Sequence, residues 1–186
     1  IFIGLPTWYV IGILVTFSKE FAVKMNIQGA VDPGKAVMYA YAAISLGDIV
    51  IGLVSQLLRS RKKALFLFYG ITAIGMVWFF NLHNATAQQL YWACALLGFG
   101  TGFWAIFVTM AAEQFGTNLR ATAATTVPNM VRGSLNLITL LFTGLQVSYG
   151  FIHSGVITAV IIMVISIISA IFTQETFGKD LNFVET

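Results

Sequence analysis

Apolar runs of about 20 residues alternate with short polar breaks along the chain, the pattern of helices long enough to cross a bilayer. The expected spans are 3–23, 36–58, 64–82, 90–112, 121–145 and 151–172, with a polar tail over 173–186. Asp32-Pro33-Gly34 marks a turn between the first two. Pro6 and Pro128 fall within the first and fifth spans, where neighbouring groups must satisfy the freed carbonyls. The third and sixth spans are the most uniformly apolar and are expected to face lipid. The fourth contains LLGFGTGFW, in which Ala95, Gly98 and Gly102 share one helical face and let another backbone approach closely.

Composition agrees with this pattern. Hydrophobic residues make up 58% of the chain and charged residues 9%, against about 25% charged in soluble domains, and the mean hydropathy is +0.87. The expected fold class is therefore an all-α integral membrane protein. The net charge is +3, and the basic residues lie beside the spans without a long basic run, so no nucleic acid partner is expected. Cys94 is the only cysteine, which excludes an internal disulfide and a cysteine-based metal site. His83 and His153, the latter at the very start of the sixth span, are read as loop residues, neither with a ligand partner at a metal-binding spacing. No metal or cofactor is implied.

Charge placement suggests an orientation. Arg59, Arg61, Lys62, Lys63, Arg120 and Lys179 lie on one side of the expected bundle and Lys19, Lys24 and Lys35 on the other. The positive-inside rule puts the first set, and both termini, in the cytoplasm, with a bacterial inner membrane as the expected location. The chain opens with IFIGLPTWYV, without a basic n-region or a cleavage site, and is expected to be a fragment that starts in or just before a membrane helix.

Candidate chemistry lies on two polar ladders. On a helix, residues at i, i+4, i+7 and i+11 share a face. In the second span this series is Tyr41, Ser45, Asp48 and Gly52, and in the fifth Thr125, Asn129, Arg132 and Asn136. Each ladder carries an ionisable group near mid-membrane, where such groups mark substrate or ion pathways or hold helices together as ion pairs. The six spans divide into two sets of three with a ladder on the second member of each. Inverted three-helix repeats with a midplane site are a common transporter plan.

Two further motifs bring in a family. Residues 52–62, GLVSQLLRSRK, are similar to the glycine-to-basic-pair signature that follows the second helix of each half of major facilitator superfamily transporters, with Gln56 in place of the usual acid. Residues 113–122, EQFGTNLRAT, resemble the acid, aromatic, turn, Thr, basic pattern between helices 10 and 11 of that family. The resemblance covers the whole chain and implies its C-terminal half, helices 7 to 12, a six-helix half-bundle of two inverted three-helix repeats. It further implies a cytoplasmic gate of Gly52, Gln56, Arg61, Lys62, Glu113 and Arg120, and a cavity wall that includes Tyr9, Tyr41, Ser45, Asp48, Asn129, Arg132 and Asn136.

The expected function is a secondary active transporter that moves a small polar, anionic metabolite by alternating access, coupled to protons as a symporter. Arg132 would clamp a carboxylate or phosphate, and Asp48, with Arg132 as its partner, would be the coupling group. The expected partners are the lipid bilayer, the substrate, H+ and a missing N-terminal six-helix half. Ser45-Leu-Gly-Asp48 approaches an intramembrane aspartyl protease motif, but that chemistry needs two carboxyls sharing a site and no second acid lies near the middle of a span, Glu20 standing near the end of the first. With no HExxH either, no enzyme activity or catalytic residue is expected. A channel or a non-transporting receptor on the same fold remains open.

Overall fold

A computed structural model describes residues 1–179; residues 180–186 of the expected tail lie outside the described residues. The described chain is helical, and its isolated β-bridge, Gln28 to Thr86, forms no strand. In chain order the helices are α1 (Leu5–Tyr9), α2 (Ser18–Lys24), α3 (Pro33–Leu58), α4 (Arg61–Phe80), α5 (Ala87–Thr101), α6 (Trp104–Glu113), α7 (Arg120–Gly133) and α8 (Leu135–Phe172).

Local chemistry sets several boundaries. Pro33 opens α3 at its first position, where a missing N–H removes no intrahelical bond, and the Asp32 carboxylate accepts the Gly34 N–H at 2.8 Å. Arg59 ends that helix in the left-handed region at φ 47°, and Ser60 caps α4 by accepting the Lys63 N–H at 3.1 Å. Thr86 and Gln89 form a reciprocal capping box at the start of α5.

The first span is broken. A π-helical turn, Val10–Val15, continues α1, and Phe17 at φ −91°, ψ 23° separates it from α2. The two pieces meet at 60°. Ser134 separates α7 from α8 without a long loop. Gly150 then breaks α8 at φ 74°, ψ 172°, a conformation open to glycine. Phe142 and Phe151 would stand about 13 Å apart along a straight helix, yet their ring centres are 5.3 Å apart. The chain therefore folds back at Gly150.

Among the described residues, four helical stretches are long and apolar enough to cross a membrane: Pro33–Leu58, Arg61–Phe80, Ala87–Glu113 and Arg120–Phe172. The bent pair Phe2–Val15 with Ser18–Lys24 makes a fifth. Of the apolar window in Ala87–Glu113, 61% is buried, against 17% in Pro33–Leu58. The α5–α6 stretch is thus central, and α3 presents most of its surface outward.

Small residues bring α3 and α5 together. A Cβ on Gly98 would run into the carbonyl of Ala40, and one on Gly102 would lie 2.6 Å from the backbone of Gly47. The glycine face of the fourth span is a backbone-to-backbone seam against α3. At one end of the bundle, Phe21 of α2 packs against Phe79 and Phe80 of α4 and against Phe142 and Phe151 of α8, with ring centres 4.7 to 6.2 Å away. That cluster holds the bent helix α2 in place.

Candidate functional site

Asp48 and Arg132 do not form an ion pair among the described residues; each has another partner. The Asp48 Oδ1 accepts the backbone N–H of Ala105 at 3.1 Å. Ala105 is the second residue of α6, whose own N-cap, Phe103, supplies no side-chain bond. Asp48 therefore caps the broken fourth span from the neighbouring helix, and its charge faces the positive end of the α6 dipole. The contact between Gly47, one residue before Asp48, and Gly102, three before Ala105, allows the carboxylate to reach that amide.

Arg132 lies over the indole of Trp8, 4.9 Å from the ring centre, a cation–π arrangement. Trp8 packs edge-on against Trp104 at 6.1 Å, and Trp104 immediately precedes Ala105. Arg132 thus covers one ring of the indole pair, and Asp48 bonds the amide that follows the other. Among the described residues the buried Trp8 Nε1 has no hydrogen-bond partner, which leaves an orphan donor in the residue that Arg132 covers.

The other ladder residues differ in placement. Tyr41, Ser45, Asn129 and Asn136 are exposed, and Asp48 is partly buried. The Ser45 hydroxyl donates to the Tyr41 carbonyl, and the Asn129 amide to the Thr125 carbonyl. Tyr9 does not stand on an open wall. It is fully buried, and its hydroxyl donates to the Gly155 carbonyl at 2.7 Å, because the π turn that follows packs this end of α1 against α8.

A second polar cluster lies where α3 gives way to α4. Arg61 meets Glu113 at 3.0 Å and also donates to the Ser55 hydroxyl at 3.0 Å. Glu113 accepts a further bond from the Thr176 hydroxyl at 2.6 Å, and the Arg61 guanidinium lies 5.3 Å from the Phe177 ring centre. Glu175 accepts the N–H groups of Arg61 and Lys62 at 2.9 and 3.2 Å and the Ser60 hydroxyl. Lys62 reaches the Ile171 carbonyl at 2.8 Å. Arg120 bonds the Phe115 carbonyl at 3.3 Å, Gln56 is exposed, and a Cβ on Gly52 would meet nothing within 4 Å.

Partial burial pushes the Glu175 carboxyl up. The hydrogen bonds from Ser60 and from the backbones of Phe177, Arg61 and Lys62 outweigh that, and hold it at about 2. Glu175, Thr176 and Phe177 escaped the reading of the sequence, which treats the tail as solvated. His153, expected in a loop, is helical and belongs to α8. Among the described residues no cluster of His, Cys, Asp or Glu could hold a metal ion.

No family model matches the chain, and no curated protein matches it.

Proposed function

We propose that this chain is the C-terminal half of a secondary active transporter of the major facilitator type, moving a small anionic solute by alternating access with proton coupling. The observation that carries the reading is Arg132 lying over Trp8 while Asp48 bonds the amide next to Trp104, the edge-on partner of Trp8. A cation with a buried orphan donor beneath it fits a carboxylate or phosphate. A carboxylate held only by one amide is able to exchange a proton without losing its place, since the protonated form still offers an acceptor to Ala105.

The same reading takes the chain to cross the membrane six times. The stretch Arg120–Phe172 holds 53 residues, about 80 Å of helix against a hydrocarbon core of about 30 Å, and it folds back at Gly150. Counted as two spans and added to the other four, it gives two sets of three, with the exposed polar faces of α3 and α7 left for a second six-helix half. The Arg61–Glu113 cluster then serves as the cytoplasmic gate, both termini lie on that side, and the host is a bacterial inner membrane.

The test is transport by the chain joined to its proposed second half in proteoliposomes. Asp48→Asn is expected to abolish proton-driven accumulation while leaving counterflow measurable, and Arg132→Gln to abolish both. Unchanged uphill uptake by Asp48→Asn would remove Asp48 as the coupling group, and flux far above carrier rates without counterflow would replace the carrier by a pore.

A further inference from the structure

A crevice of about 910 Å³ lies between α4 and the second arm of α8, at the opposite end of α4 from the Arg61 cluster. Neither ladder contributes to it. On α4 its wall is Ala73, Met76, Val77 and Phe80, a helical face at i, i+3, i+4 and i+7. On α8 the wall includes Val156, Ala159, Val160 and Met163, with the same spacing. Ala73 and Ala159 are the small members of each face and leave the trough between their larger neighbours. The lining continues from His153 to Ile167, about 21 Å along a helix and longer than one leaflet of a core about 30 Å thick.

One end of this apolar trough is polar and basic. Lys24, Asn81, His83 and His153 line it there, contributed by α2, the α4–α5 connection and α8. Among the described residues that line the crevice none is Asp or Glu. Lys24 makes no ion pair among the described residues. An apolar trough with a rim of hydrogen-bond donors and one ammonium matches a molecule with an acyl tail and an anionic head, whose phosphate accepts charge-assisted hydrogen bonds.

We propose that this crevice binds an anionic phospholipid from the leaflet opposite the Arg61 cluster, the phosphate at Lys24, His83 and His153 and one acyl chain along the trough between α4 and α8. A second copy of the chain is a poorer occupant. A two-fold contact over this face would bring two such rims together, and like charge opposes it. The proposal requires that the helices be embedded in a membrane and is independent of what the ladders carry.

The test uses the full chain purified in detergent, with native mass spectrometry of bound phosphatidylglycerol and phosphatidylcholine of identical acyl chains. At least tenfold stronger retention of phosphatidylglycerol is expected. The variant Lys24→Ala/His83→Ala/His153→Ala should retain the two lipids equally, Lys24→Arg should keep the preference, and Ala159→Trp, which fills the trough, should weaken both. These rim side chains are exposed, so their removal leaves the packed helices unchanged, as circular dichroism would record. Equal retention by the unaltered chain would overturn the proposal. So would displacement of the lipid by glycerol phosphate alone, a preference that survives loss of the three rim side chains, or cross-linking of two copies through Val160.

Discussion

The Asp48 carboxylate caps a helix to which it does not belong, by accepting the amide N–H of Ala105 at 3.1 Å. Charge and hydrogen bonding separate at this position. Asp48→Asn keeps an acceptor for Ala105 and should leave thermal stability within about 0.5 kcal/mol, whereas Asp48→Ala should lose about 1–3 kcal/mol, the range for a hydrogen bond to a charged group. Equal melting temperatures for the two variants would show that the cap contributes nothing.

The glycine seam gives a sharper contrast. Gly98→Ala forces a methyl group into the Ala40 backbone and Gly144→Ala places one in open space. Overpacking of a tight contact costs about 1–3 kcal/mol, while alanine is favoured over glycine in an exposed helix interior by up to about 1 kcal/mol. Detergent unfolding of the two variants should therefore move in opposite directions.

Removal of one member of the Arg61–Glu113 pair leaves the other partly buried without its counter-charge, at a cost of about 3–5 kcal/mol when burial is deep. The side chains are 14% and 12% exposed, so the lower part of that range is expected for Glu113→Gln. Arg61→Lys should also destabilise, because a guanidinium reaches Glu113 and Ser55 together and an ammonium does not. A double-mutant cycle over the two positions should return a coupling of at least about 1 kcal/mol.

Docking of residues 175–177 should depend on pH. Glu175 is held at about 2 against an ordinary value of 4.5, so the folded state favours its ionised form. The resulting stabilisation is complete above about 4.5 and is lost as pH falls toward 2. Proteolysis of the tail at graded pH, with an acid-tolerant protease, should show release over that window. Glu175→Gln should release the segment at neutral pH, and a tail equally protected in that variant would assign the docking to Thr176 and Phe177 instead.

The parts legible in the sequence are those that leave a period or a small-residue signature. Gly98 and Gly102 pointed to a close helix contact because only the absence of a side chain permits one, and Asp32-Pro33 marked the start of α3 through its own backbone chemistry. Residues Glu175 to Phe177 left no such trace, since an irregular segment docks through individual hydrogen bonds that have no spacing. The partner of Asp48 was hidden for a related reason: a backbone N–H carries no residue identity. The ladder analysis matched Asp48 to Arg132 because side chains are the only partners a sequence displays.

The first helix has one further consequence. Val10–Val15 forms a π turn, in which an extra residue is housed within the helix. The segment therefore behaves as an insertion already absorbed, and loss of one residue there would leave the hydrogen-bonded ladder whole. In an unbroken α-helix one residue more would turn everything beyond it by about 100°; housed in the π turn, it leaves Phe21 in its aromatic cluster and Lys24 at its rim.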